Sequence, residues 1–316
     1  SPQRENIVSW LPINKDMKLL EIGSGCGAIT GALAKKAGRV DCVDLSRKRS
    51  LINAYRHENC EGITINVGNF QDIEPDLDTD YDCALLIGVF EYAQSYIGGK
   101  MPFEDFLKII RKHVRPEGTI VIAIENRYGL KYWAGCREDH LATFFSSIEA
   151  YSAGGGVRTF SRKGLEGIFE RSGEKNSHFY YPYPDYKFMT TLFSDKRLPD
   201  KGELYNNTRN FDRDRMLLFD EKTAFDGILD EEMFPFFSNS YMAVLGNEPA
   251  TEYIRYSNDR ALEYQISTEI ADGKVKKRAL YNEGKNHIKN MEKYYHKLSA
   301  RYEGSGLTIC PCKVVG

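Results

Sequence analysis

Leu19-Leu20-Glu21-Ile22-Gly23-Ser24-Gly25-Cys26-Gly27 is the stretch that decides how this chain folds. Residues 17–22 form an apolar-rich run that ends in a glycine cluster, and residues 27–37 carry small and apolar side chains at helical spacing. Glycine belongs where a backbone must take a positive φ or approach a ligand closely. A strand that runs into such a cluster and leaves it as a helix is a nucleotide-binding turn. Gly23-x-Gly25-x-x-Ala28 also satisfies the dinucleotide fingerprint, which offers helix-terminal N–H groups to a pyrophosphate. Glu21, two residues before the first glycine, opposes that ligand, because an acid there repels a pyrophosphate. It suits a ligand with an amino group and a sulfonium cation.

Moving outward, residues 39–44 read as a second strand ending in Asp44, about 20 residues past the glycines, where an acid can bond ribose hydroxyls. The other reading of Asp44 is a cap for the helix predicted at 47–57. After a third strand at 62–67, Asn69 and Phe70 place an amide beside an aromatic, a pair suited to the edge and face of an adenine. A turn residue and a core phenylalanine would look the same. A fully apolar strand at 81–87 runs into Gly88-Val89-Phe90-Glu91-Tyr92, with Gly88 letting backbone approach a ligand. A helix at 103–113 and a strand at 118–125 follow.

This alternation predicts an α/β fold: a doubly wound, mostly parallel, Rossmann-like sheet with a late antiparallel strand at 240–245. Its site is expected at the carboxyl ends of the strands. Residues 1–248 read as one domain with insertions at about 126–160, containing the Gly154–Gly156 run, and at 185–235. Between them lie a helix at 161–172 and a strand at 178–183 that Pro182 and Pro184 should stop. Residues 249–316 read as a small α+β segment of three strand-like runs (253–256, 263–270 and 275–280), an Asp272-Gly273 turn and a long helix.

The 316 residues are 41% hydrophobic and 28% charged with net charge −2, so no global field points to nucleic acid or a membrane surface. No 18-residue apolar run or signal peptide is seen, and seven scattered cysteines fit a reducing compartment, so a cytoplasmic protein is expected. Cys310-Pro-Cys312 is too lone a pair for zinc, and no metal is expected. Nine Lys/Arg against two Glu in 273–301 read as the solvated face of the helix. The chain begins without Met, which suggests a fragment of something longer.

With these motifs together, residues 17–125 resemble the class I S-adenosylmethionine-dependent methyltransferases. The resemblance implies that Gly23, Ser24, Gly25 and Gly27 line the methionine part of S-adenosyl-L-methionine, and that Asp44 with Leu45 holds the ribose. It also implies that Asn69 and Phe70 border the adenine and that Ile87 and Gly88 lie beneath the reacting centre. Further stretches, among them Glu125-Asn126-Arg127-Tyr128-Gly129, Glu138-Asp139-His140, Arg158-Thr159-Phe160-Ser161 and the Tyr180–Lys187 string, resemble methyltransferase modules of bacterial cell-surface polysaccharide biosynthesis. Such modules are often fused to a glycosyltransferase or another partner. The implied acceptor is a small molecule or glycan.

Methyl transfer to a hydroxyl needs proximity and a base. Glu91 and Tyr92 close the fourth strand, Glu125 closes the fifth, and His140 lies in the loop beyond it; Glu91, Glu125 and His140 are the candidate bases. Tyr92, Arg127, Tyr128 and Arg158 are candidates for binding the acceptor, and Lys131 and Arg137 add cations to the same loop. Two other readings stay open: an NAD(P)-dependent oxidoreductase using the same turn, or a non-catalytic docking module. The lysine-bearing run 275–278 before a helix with Glu283 and Glu292 looks like the opening of a kinase-type lobe. The chain has no Gly-rich loop, H-R-D or D-F-G there, so no kinase activity is expected.

Overall fold

The computed structural model describes residues 2–152, 154, 156–207 and 214–315, so Gly155 and part of the predicted 185–235 insertion lie outside the described residues. The chain divides into two compact units, Ser1–Pro249 and Ala250–Gly316.

The first unit is built on β1 (Lys18–Ile22), β2 (Arg39–Asp44), β3 (Ile63–Val67), β4 (Tyr81–Ile87), β5 (Val114–Glu125), β6 (Ser177–Tyr183), β7 (Thr191–Ser194) and β8 (Ser240–Leu245). Within it the order is β7-β6-β8-β5-β4-β1-β2-β3. Strands β1 to β5 are parallel. β8 runs antiparallel to both β5 and β6, as expected of a late antiparallel strand. β1 pairs with β2 on one side and β4 on the other, so the winding reverses there. That switch opens a crevice at the carboxyl ends of β1 and β4. The fold is the α/β, Rossmann-like one.

Helices α1 (Pro2–Ser9), α2 (Thr30–Lys36), α3 (Arg47–Arg56), α4 (Pro102–His113), α5 (Arg162–Ser172) and α6 (Glu221–Asp230) belong to this unit. α4 shows why such segments fold as they do. Its buried Phe103, Phe106, Leu107 and Ile110 recur at helical spacing, acids occupy its first turn and bases its last. α5 starts where the Ser161 side chain accepts from the Gly164 N–H and stops at Gly173 with φ +88°.

Differences from the sequence reading are local. The helix expected at 27–37 begins at Thr30, because Gly27 has φ +72° and cannot be helical. Pro182 does not end β6; it lies inside the strand, paired with Leu192 of β7. The stretch 185–234 is less irregular than expected, since it holds β7 and α6. β7 has only four residues and α6 buries only Glu221 and Phe225, so neither shows a strong periodic pattern. Phe70 is 3% exposed and meets Phe106 edge-on at 5.3 Å, the packing of a core side chain.

The second unit is an antiparallel meander of β9 (Thr251–Tyr256), β10 (Ile266–Ala271) and β11 (Lys274–Ala279), followed by helix α7 (Asn282–Arg301). Asp272 and Gly273 turn β10 into β11 with φ +52° and +67°, a pair of positive values that matches strand twist. Lys277 donates to Thr268 at 3.1 Å and Arg278 approaches Glu269 at 3.7 Å. Among the described residues no strand lysine pairs with Glu283 or Glu292, so the kinase-type pairing is not formed. No helix of the described residues is long and apolar enough to cross a membrane. The seven cysteines are free.

Phe106 is fully buried and touches Phe70, Phe90 and Tyr96 at centroid distances of 5.3, 6.4 and 5.9 Å. Phe106→Ala is expected to destabilise the first unit by about 3–5 kcal/mol in urea unfolding; a loss under 1 kcal/mol would show that this core does not hold the sheet.

Candidate functional site

The glycine loop after β1 is held by its own hydrogen bonds. The N–H groups of Gly23 and Ser24 donate to Val43 O, that of Gly27 donates to Ser24 O, and that of Gly25 donates to Asp44 Oδ2 at 2.8 Å. Those four N–H groups are thus taken up inside the fold. Gly23 has φ +72° and a Cβ there would collide with Val89, so the turn admits no side chain.

Beside the loop is a cavity of about 340 Å³, large enough for a small ligand. Glu21, Gly23, Ser24, Gly25, Ile87 and Gly88 line it, as do Arg4 of α1 and Arg49 of α3. The Ser24 hydroxyl is buried there without a hydrogen-bond partner. Gly27 is different: a Cβ on it would strike Asn53, so it serves packing against α3 and does not face the cavity. Asp44, Leu45 and Asn69 are near the crevice by topology but do not line the cavity. Asp44 accepts from the Gly25 and Ser46 N–H groups and approaches Arg49 at 3.5 Å, while Ser46 itself caps α3. Leu45 is 58% exposed.

Glu21 turns inward. Thr30 donates to its Oε2 at 2.7 Å and Cys42 at 3.4 Å, and Asn53 donates in turn to Thr30. Burial raises its carboxyl to about 7 against the opposing pull of those two donors. In this structure Glu21 braces the loop onto β2 and α2 while one side of it borders the cavity.

Past Gly88 the chain reaches a second polar centre. Glu91 and Glu125 are 1% and 0% exposed, and the donor atoms of Glu91, Glu125 and His140 all lie within 4.8 Å of one another. His140 Nε2 is 3.4 Å from Glu91 Oε1, and its Nδ1 is 2.9 Å from Glu138 Oε1. Glu138 is fully buried and also accepts from the His140 and Leu141 N–H groups. Lys187 bridges Glu125 at 2.9 Å and Asp139 at 2.7 Å. Lys131 and Tyr132 donate to Asp139 at 2.9 and 2.6 Å. Tyr92 meets His140 edge-on at 5.5 Å. The Tyr186 hydroxyl is 2.5 Å from where a Gly88 Cβ would stand, so it lies against the backbone that lines the cavity.

Burial by itself would lower His140, but its bonds to Glu138 and Glu91 outweigh this and raise it to about 10. Burial raises Glu91, opposed by His140. Burial alone would raise Glu138, but its bonds from His140 and the Leu141 N–H lower it, so as these side chains stand the proton rests on the imidazole.

The three residues taken as candidate bases are thus brought together from β4, β5 and the loop between β5 and α5. The candidate acceptor binders scatter. Tyr92 joins the centre. Tyr128 stacks on Phe236 at 5.1 Å and lines a separate cavity with Arg162. Arg127 donates to Ser147 O and covers Tyr128 at 4.7 Å, with Nη2 buried and unbonded. Arg158 is exposed; only its backbone N–H reaches in, to Glu91 O at 3.2 Å. Lys131 is buried in its ion pair with Asp139, and Arg137 covers Phe144 at 4.2 Å, so neither stands as a free cation for an acceptor. Sequence reading missed Arg4, Arg49, Tyr186 and Lys187 as site residues. The lysine and tyrosine were visible only as part of the Tyr180–Lys187 string.

Residues 20–120 match the family model described as a methyltransferase domain. No curated protein matches the chain. Among solved structures, it is similar to the putative methyltransferase bound to the Trm112 activator of Haloferax volcanii, at 16% identity and TM-score 0.46, over 77% of this chain and 88% of that one. An S-adenosylmethionine-dependent methyltransferase from Archaeoglobus fulgidus gives 14% and 0.45, over 78% and 91%. A phosphoethanolamine N-methyltransferase from Haemonchus contortus, solved with S-adenosylhomocysteine, gives 15% and 0.46, over 78% and 53%.

Glu21 yields a pH test. Its carboxyl is raised when folded and ordinary when unfolded, so stability is full below about pH 4.5 and falls as pH rises through about 7. Glu21→Gln should gain on the wild type by on the order of 3 kcal/mol between pH 5 and pH 8 in urea unfolding. A difference that does not change with pH would remove the raised carboxyl.

Proposed function

We propose that this chain is an S-adenosyl-L-methionine-dependent methyltransferase acting on a hydroxyl of a bacterial glycan or glycan precursor. The observation that carries the reading is the continuity of segment 87–91. Ile87 and Gly88 wall the glycine-loop cavity, and three residues on Glu91 stands in the buried centre with Glu125 and His140. A donor cavity and a set of acid–base groups thus adjoin along one strand end, where this kind of sheet places its chemistry. The match of residues 20–120 to a methyltransferase domain supports the same reading.

S-adenosylmethionine supplies the methyl group on a sulfonium. The cavity suits it: Ser24 has an unbonded hydroxyl for its polar end, Arg4 and Arg49 provide charge for its carboxylate, and Glu21 provides an acid for its ammonium. Asp44 is assigned to the ribose with Leu45 beside it, since each carboxylate oxygen keeps acceptor capacity beyond its one backbone bond. Asn69 is assigned to the adenine edge. The centre of Glu91, Glu125 and His140 handles the acceptor's proton, and Tyr92 borders that acceptor. Arg127, Tyr128 and Arg158 are assigned to its outer parts. O-direction and the glycan rest on the resemblance of the 124–187 stretches to polysaccharide-modifying modules. The same resemblance spans roughly residues 1–248, which are assigned to the methyltransferase domain; residues 249–316 are assigned, from their own three strands and helix, to a small separate α+β segment.

His140→Ala is expected to cut turnover by about 10²–10⁴-fold while S-adenosylmethionine affinity stays near wild type. Asp44→Ala should weaken that affinity at least about tenfold in calorimetry. In a thermal-shift assay, S-adenosylmethionine should raise Tm and NAD⁺ should not. A shift by NAD⁺ alone would favour the oxidoreductase reading, and unchanged turnover in the His140 variant would take that residue out of the reaction.

A further inference from the structure

We propose that Glu91, Glu125 and His140 form a binding site for one divalent metal ion of the Mn²⁺ or Zn²⁺ kind. The residues come from three separate pieces of chain, yet their donor atoms lie within 4.8 Å of one another. The 3.4 Å between His140 Nε2 and Glu91 Oε1 is close to the spacing of two donors that share one ion at about 2.1 Å. One imidazole with two carboxylates is a donor set for first-row divalent ions.

Two further observations point to a ligand. Glu91 Oε2 and Glu125 Oε2 are buried without a hydrogen-bond partner. Buried carboxylate oxygens without partners call for an explanation, and an ion between the two carboxylates, met by Glu91 through one or both oxygens, provides one. The second is Glu138. It faces His140 Nδ1 at 2.9 Å and is itself pinned by the His140 and Leu141 N–H groups. A carboxylate on the far nitrogen is the usual support of a metal-bound histidine: it fixes the ring and aims the Nε2 lone pair, here toward Glu91 and Glu125. Lys187 pairs with Oε1 of Glu125, which leaves Oε2 for the ion.

Three protein ligands leave coordination positions open, as in sites that handle substrate. The inference deepens the proposed methyl transfer and rests on it for one point alone, the occupant of the open position. An acceptor hydroxyl bound there would become more acidic and would release its proton to solvent, so the three side chains would act on that proton through the ion and not as direct bases. The competing account of the same geometry is an imidazolium held between Glu138 and Glu91 with no ion.

Titration of the EDTA-treated full chain with Mn²⁺, read by the electron paramagnetic resonance of free Mn²⁺, decides between them. Mn²⁺ prefers oxygen and imidazole donors to thiolates, so the exposed Cys310 does not confuse the count. The expected result is one site per chain, weakened at least tenfold by Glu125→Gln or His140→Ala and roughly 10–100-fold by Glu138→Gln. Circular dichroism of the metal-free variants reports whether each is folded. If His140→Ala is not, the two glutamine variants decide. No stoichiometric binding by the wild type, or wild-type binding by the folded variants, overturns the site. S-adenosylmethionine calorimetry on the same samples reads the methyltransferase proposal separately: donor binding without Mn²⁺ binding sinks only the metal site, and the reverse sinks only the methyltransferase.

Discussion

A carboxylate with no exposure to water must be paired, protonated or bound to a cation, because burying an isolated charge costs several kcal/mol. Glu125 imposes that constraint at the end of β5. It is fully buried, at the end of a strand that has β4 on one side and β8 on the other in the sheet. Much of the surrounding chain is arranged to satisfy it and its neighbours. Lys187 arrives from the turn after β6, and Asp139 arrives from the loop after β5 to share that lysine. Lys131 and Tyr132 then close around Asp139.

The same constraint explains why residues 126–140 fold down over the sheet. Asn126 donates to Phe236 O and Ser238 O, and the Lys131 N–H donates to Asn239, so the exit from β5 is stitched to the entry of β8. Beyond that exit the loop brings His140 to 3.4 Å from Glu91. The polar centre and the cavity beside the glycine loop share one wall, the segment from Ile87 to Glu91. Any movement of that segment moves both.

The glycine loop was legible because its chemistry is local. Positive φ at Gly23, Gly25 and Gly27 needs glycine whatever the rest of the chain does. Parallel strands buried on both faces read as apolar runs, and helix α4 shows its core face in four residues. The packing of Phe70 was not legible. A phenylalanine after a strand looks the same whether or not it packs on Phe106, and only the position of α4 shows that it does. The close packing of Gly27 was hidden for a like reason, since its neighbour is Asn53, distant in sequence. Lys131 read only as one more cation of its loop, because an ion pair with Asp139 leaves no periodic trace.

The α/β fold, the glycine turn after β1 and the acid and imidazole side chains that are candidates for chemistry could all be read from the sequence. Those follow from backbone sterics, burial periodicity and side-chain type, all of which are written in short stretches. Only the packing of distant segments brings Glu91, Glu125 and His140 together, sets Glu138 against the histidine, and gives Arg127, Lys131 and Tyr128 their contacts with Ser147, Asp139 and Phe236. Those facts depend on which distant segments meet. Pairing of buried charge is a long-range demand, met here by residues from β4, β5, the loop beyond it and the turn after β6.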